Sequence, residues 1–311
     1  MPLFLIIILF YFWKEIVKYK KRIIFPICIF IFFTLPILLN LKNSAIRAQS
    51  VGIFGKPHAF QTFVSGYLSH YSPIFLFVAG DNNGRHSVPG MGELYVFEAP
   101  LILMGIFYLI RVKKKNAKFI ILWLLAAGIP PAIAQPTPHA LRGLTFIPVW
   151  SIIAACGANM LFTLHIRSIY KKTLFLLLAL LAFYNISLYF HLYYSHYSKE
   201  KGPDWGDGYK QMAEYISGIS KDYNTVAVTT YFGRPYIYLL WYSLFDPVTY
   251  QKYSLNSEGF DKYEFFGSSW TKTKPGKAIV VTPPWQAHPD KVLKQIYSTS
   301  GDLVFTVSEA Q

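Results

Sequence analysis

The chain has 311 residues, 53% of them hydrophobic and only 15% charged, with a mean hydropathy of +0.31. That balance excludes an ordinary soluble domain. The net charge of +14 would suit nucleic acid, but from Ser195 onward twelve Lys and Arg face twelve Asp and Glu, so the excess lies wholly in the apolar first part. There it collects in short loops between apolar runs, the positive-inside pattern of a membrane protein, and no nucleic-acid partner is expected.

The first apolar run, about residues 1–13, is shorter than the roughly 20 residues a helical span needs and reads as the tail of a truncated span. Lys14, Lys18, Lys20, Lys21 and Arg22 follow it, on the cytoplasmic side in this reading. A clean span is expected over 23–41, where Pro26 and Pro36 are tolerable once neighbouring helices satisfy the freed backbone groups. A long outer loop, 42–93, comes next; within it AFQTFVSGYLSHYSPIFLFVA reads as a re-entrant or interfacial helix. Further spans are expected over 94–110, 119–134, 143–164 and 173–193. Their alternation puts RVKKKNAK and HIRSIYKK on the same side as the first basic cluster. Cys28 and Cys156 lie inside apolar runs and read as small core residues, with neither disulfide nor metal spacing.

Residues 194–311 read as a small α/β domain outside the membrane. WGDGYKQMAEYISGIS suggests a helix, TVAVTTY a buried strand, RPYIYLLWYSLF a helix, KAIVVTPP a strand, HPDKVLKQIYST a helix and LVFTVS a last strand. The alternation predicts an open α/β sheet, Rossmann-like in outline, but no glycine-rich phosphate fingerprint follows any strand. Trp205, Tyr236, Trp241 and Trp270 could stack on a ligand's ring or simply belong to a core.

The polar residues of interest sit in the outer loop and in Gln135 to Arg142. Arg142 offers a fixed fork of donors suited to phosphate, and His139 a hydrogen bond or a proton. The plain alternative has Arg142 snorkelling to the interface and His139 solvated. Asp81, Arg85 and His86 fall within six residues and could hold a metal-bound phosphate or form an acid/base pair. They also fit an ordinary turn closed by an Asp81–Arg85 link. Glu93 and Glu98 flank the returning span, and Glu98 calls for a partner such as Arg85 or Arg142. There is no nucleophile elbow, HExxH, Walker loop or cysteine-based metal site.

The succession YLSHYSPIFLFVAGDNNGRHSVPGMGELYVFE, then PTPHALRGL, then DWGDGYKQMAEYI and TTYFGRPYIYLLWY, resembles the carboxy-terminal half of bacterial multi-spanning glycosyltransferases of the C-type superfold. These are related to protein O-mannosyltransferases and lipid A aminoarabinose transferases. The resemblance implies a polyprenyl-phosphate-linked sugar as donor and, at the extracytoplasmic face, an acceptor that is a protein, a lipid or a glycan. For Arg142, His139, Arg85 and His86 it implies contact with the donor phosphate. It also implies a catalytic acidic residue in a first outer loop that does not appear ahead of residue 42, so the chain reads as a fragment and Asp81 and Glu93 are only substitutes for that residue.

The resulting expectation is a mostly α, multi-pass transmembrane helix bundle over 1–193 with a small extracytoplasmic α/β domain over 194–311. The leading functional expectation is a cell-membrane glycosyltransferase, with membrane lipids around it. No cofactor is required and no protein metal ligand is assigned, although a divalent cation is left open. A non-catalytic membrane protein whose outer domain binds a ligand or partner stands as the alternative, and a transporter ranks below both because the spans hold almost no charge.

Overall fold

The computed structural model describes residues 8–39, 49, 51–112, 114–253, 259–271, 275–286 and 291–310. The chain divides into two compact units, Met1–Phe190 and His191–Gln311.

The first unit is helical. After a short helical segment at Trp13–Lys18, α1 spans Lys20–Leu39 with both prolines inside it, α2 spans Ala59–Ser69, and a π-helical turn occupies Phe75–Ala79. Helix α3 is Glu98–Val112, α4 Lys115–Ala127, α5 Ile129–Ile133, α6 Phe146–Thr163 and α7 Ser168–His191. Among the described residues, three stretches are long and apolar enough to cross a membrane: Lys115–Ile133, Phe146–Thr163 and Ser168–Lys201. The expected span at 94–110 appears as the 15-residue α3, which starts later because Glu98 turns its carboxylate back to accept the Tyr95 N–H at 2.9 Å. An acid in the first turn meets the positive end of the helix, so Glu98 caps its own element and needs neither Arg85 nor Arg142. The expected span at 23–41 is the shorter apolar helix Ile24–Pro36 within α1. Most of the run at 1–13, residues 40–41 and the start of the 42–93 loop lie outside the described residues.

Helices α3 and α6 are the best-packed pair. A Cβ at Gly105 would run into the Ile153 carbonyl, and one at Gly157 into the Leu101 carbonyl, so the two backbones touch where neither residue has a side chain. Small residues at a crossing allow close approach, and in lipid such packing replaces the hydrophobic drive. Ile102, Leu109, Val149, Ile153 and Ala154 fill the core around it. On α7 the amide of Asn185, only 4% exposed, accepts the Phe97 N–H at 3.2 Å and ties that helix to the turn before α3.

The second unit holds α8 (Tyr209–Ile219), α9 (Pro235–Tyr242) and six strands: β1 Thr225–Thr229, β2 Gly259–Phe260, β3 Tyr263–Phe266, β4 Ala278–Thr282, β5 Lys291–Tyr297 and β6 Leu303–Ala310. They form one sheet in the order β2-β3-β1-β4-β6-β5. Strand β1 runs parallel to both β3 and β4, whereas β6 runs antiparallel to β4 and β5. The continuous apolar runs of β1 and β4 are buried throughout, as central strands covered on both faces require. Helix α8 places Tyr209, Met212, Ala213 and Ile216 on one face against Val226, Val228, Ile279 and Phe305.

One expected element changes type. The segment expected as a helix over HPDKVLKQIYST is a strand from Lys291, its preceding residues 287–290 lying outside the described ones. Ser298 to Asp302 form a turn in which Gly301 adopts φ +91°, and this turn folds β5 back on β6 as a hairpin. Tertiary pairing overrides a weak local preference here.

Candidate functional site

The site grows from the turn Asp81-Asn82-Asn83-Gly84-Arg85-His86. Asp81 Oδ1 accepts the Asn83 N–H at 2.9 Å and Asn83 Oδ1 accepts the Arg85 N–H at 3.1 Å, two side-chain turns in succession. They send Arg85 out to solvent and bring His86 back onto Asp81, with Nδ1 of His86 2.8 Å from Oδ2. The expected Asp81–Arg85 link is therefore replaced by an Asp81–His86 pair. Gly80, at φ +66° and ψ −153°, precedes the turn in a backbone region open essentially to glycine. A Cβ there would stand 2.8 Å from the Met91 carbonyl, so Gly80 lets the chain pass close enough for Glu93 Oε1 to accept the Asp81 N–H at 2.9 Å.

The other half of the site comes from the segment between α5 and α6, in which the peptide bonds before Pro136 and Pro138 are cis. Ala140 donates its N–H to Asp81 Oδ2 at 2.8 Å, and His139 donates its N–H to His70 Nε2 at 3.1 Å. His70, at the end of α2, is completely buried, and its Nδ1 lies 2.6 Å from the Gly66 carbonyl. An imidazole that donates from Nδ1 and accepts at Nε2 is neutral and of one defined tautomer. The His139 ring lies 4.5 Å from the His86 ring, centroid to centroid, and its Nδ1 is 3.7 Å from Asp81 Oδ2. That nitrogen is buried without a hydrogen-bond partner. Arg142 Nη1 donates to the Ala134 carbonyl at 2.8 Å and the Pro136 carbonyl at 3.2 Å, bracing the turn.

Electrostatics divides the two carboxylates expected as catalytic substitutes. Burial alone would raise Asp81, but the N–H groups of Asn83 and Ala140 and the His86 ring outweigh it and hold the acid below its ordinary value. Burial raises Glu93 to about 7, with the Asp81 charge adding to it and the Asp81 N–H opposing. Burial also lowers both His70 and His139, and the Arg142 charge adds to the lowering in each case. Asp81 is thus a fixed anion at neutral pH, and Glu93 is a group that exchanges its proton there.

Beside this cluster lies a cavity of about 230 Å³. His70, His86 and Glu93 form its ionisable edge, and Phe75, Leu76, Leu94, Phe146, Ile147 and Trp150 its apolar walls. The Trp150 indole nitrogen is buried with no acceptor. Sequence reasoning singled out neither His70 nor Trp150. His70 carried one usable signal, an imidazole within the apolar and aromatic stretch that begins with α2.

No family model, no curated protein and no solved structure matches this chain. The geometry of the cluster and its cavity is therefore what any functional reading rests on.

Proposed function

We propose that this chain is a multi-pass membrane glycosyltransferase, or part of one, moving a sugar from a polyprenyl-phosphate donor to an acceptor on the extracytoplasmic side. The observation that carries the reading is the two-sided cavity: apolar walls from the first turn of the candidate span Phe146–Thr163, and an edge of His70, His86 and Glu93. A ligand with an oxygen-rich head and a hydrocarbon tail fits both sides. The unsatisfied Trp150 N–H supports the same class, since a buried donor without an acceptor costs about 1–3 kcal/mol, which a ligand oxygen recovers.

In this mechanism Glu93 takes the proton from the acceptor hydroxyl as the acceptor oxygen bonds to the anomeric carbon. The bond from that carbon to the phosphate breaks, the phosphate departs with the electron pair, and the configuration inverts. A base poised near neutrality suits that role, so Glu93 is preferred to the hydrogen-bonded Asp81. His86, oriented by Asp81, donates to the departing phosphate oxygen, where electrostatic stabilisation is worth most. Arg85 and Arg142 have no role in this version.

The test is binding of polyprenyl phosphate to the full chain in nanodiscs. Ile147→Trp, which fills the cavity from an exposed wall position, is expected to weaken binding at least about tenfold with the fold intact, a loss of about 1.4 kcal/mol. Absence of binding by the wild type sinks the reading. A second reading, a non-catalytic protein with a partner-binding α/β unit, draws on an open apolar groove of about 660 Å³ in the second unit, lined by Ile237, Tyr238, Trp241, Leu244 and Tyr250. Glu93→Gln separates the two readings: it abolishes transfer under the first and is silent under the second.

A further inference from the structure

The sequence offers no metal motif, yet folding gathers a carboxylate and two imidazoles from distant parts of the first unit. We propose that Asp81, His86 and His139 bind a divalent transition-metal cation of the zinc type. The inference stands on ligand geometry and does not rest on the sugar-transfer reading.

One ligand atom from each residue lies within 4.8 Å of the other two. Two ligands on a tetrahedral zinc, each about 2.0–2.1 Å from the ion, are about 3.3 Å apart. The Asp81 Oδ2 distances to His86 Nδ1 and His139 Nδ1, 2.8 and 3.7 Å, fall on either side of that value. A shift of about 0.5 Å in each ring turns a hydrogen bond and a near miss into two edges of a coordination shell. The His139 nitrogen explains itself in the same way. It is a buried polar atom with no hydrogen-bond partner, aimed at a carboxylate that already accepts from Asn83, Ala140 and His86. A cation between them satisfies it.

The surrounding hydrogen bonds hold the ligands in place. Oδ1 of Asp81 is held by the Asn83 N–H, and Oδ2 also receives the Ala140 N–H. The backbone carrying His139 is fixed by His70. Such partners set ligand orientation and commonly decide affinity. The donor set is two nitrogens and one oxygen, which suits zinc or cobalt and argues against calcium or magnesium, whose sites are built from oxygens. Three protein ligands leave a fourth position open, and His86 borders the cavity.

The test uses the full chain in nanodiscs, stripped with chelator and reloaded with Zn²⁺ or, for its visible absorption, Co²⁺. The wild type is expected to retain about one equivalent after desalting, by elemental analysis. His139→Ala removes the unpartnered nitrogen, together with the ring contact to His86, and keeps the N–H that His70 accepts, and it is expected to bind at least about tenfold more weakly. His196→Ala, in the second unit, is expected to bind as the wild type does. Should His139→Ala fail to fold, carbethoxylation of the wild type decides: Zn²⁺ is expected to protect His86 and His139 but not His196, as read by peptide mass. No retained metal, undiminished binding by a folded His139→Ala, or no protection by Zn²⁺ overturns the proposal.

Discussion

The Asp81 carboxylate joins the Asn83 N–H, the Ala140 N–H and the His86 ring, while Glu93 holds the Asp81 N–H from behind. The two acids carry opposite pH signatures, and Glu93 gives the sharper test. Its folded-state value, about 7, lies above the ordinary 4.5. The folded chain keeps a proton that the unfolded chain releases, so this stability is complete below about pH 4.5 and is lost as pH rises through 7. Thermal melts at pH 5 and pH 8 are expected to show the wild type losing stability relative to Glu93→Gln by up to about 3 kcal/mol. Parallel pH curves for the two proteins would refute the assignment. His70 is the other residue worth removing. His70→Phe orphans the His139 N–H and leaves the Gly66 carbonyl with the Ser69 hydroxyl as donor, and a loss of about 1–3 kcal/mol is expected by thermal shift, with His70→Gln restoring part of it. The sequence makes Asp81, His86 and His139 visible as candidates but not as a group. Which of Arg85 and His86 folds back is decided by the phase of two side-chain turns, and His139 arrives from a segment more than fifty residues away.

At the level of elements, apolar runs and basic loops mark helices α1, α6 and α7 and the stretch made of α4 and α5 to within a few residues, because span length and charge placement are direct consequences of solvent. What they leave open is how those helices touch. The α3–α6 crossing depends on the absence of a side chain at two glycines that look unremarkable in sequence. Gly105→Ala and Gly157→Ala are each expected to force the helices apart and to lower stability by about 3 kcal/mol, at the upper end for overpacked sites, in a thermal melt in detergent. A melting point unchanged in both would contradict the crossing. The strand β5 was illegible for a different reason. It lies at the sheet edge with two register shifts and little burial, so its alternation is faint and only pairing with β6 defines it. The WGDG segment, one of the stretches carrying the family resemblance, has structural work in the second unit. Asp207 Oδ2 accepts both the N–H and the hydroxyl of Thr299 in the β5–β6 turn, at 2.6 and 2.7 Å.

For the molecule as a whole, composition alone separates an apolar, basic part from a charge-balanced part. The division between the two compact units falls a few residues before the expected boundary at 193/194. The three candidate spans among the described residues are compatible with a membrane protein. The arrangement we propose for them is testable with single cysteines in a Cys28→Ala, Cys156→Ala background. A cysteine at Lys171 is expected to react with impermeant maleimide only from the cytoplasmic side, and one at Ser300 only from the outside. Reaction of both from one side would rule out the alternation. The second unit has a hydrophobic core of its own, so residues 191–311 expressed alone are expected to melt cooperatively.

The bond from the Ala140 N–H to Asp81 spans 59 residues and encloses the whole of α3, α4 and α5. At a synthesis rate of about 5–20 residues per second, roughly 3–12 seconds separate the emergence of the two partners from the ribosome. During that interval Asp81 and His86 are already present while His139 has yet to be made. The site therefore closes late, only after all of α3, α4 and α5 have been made.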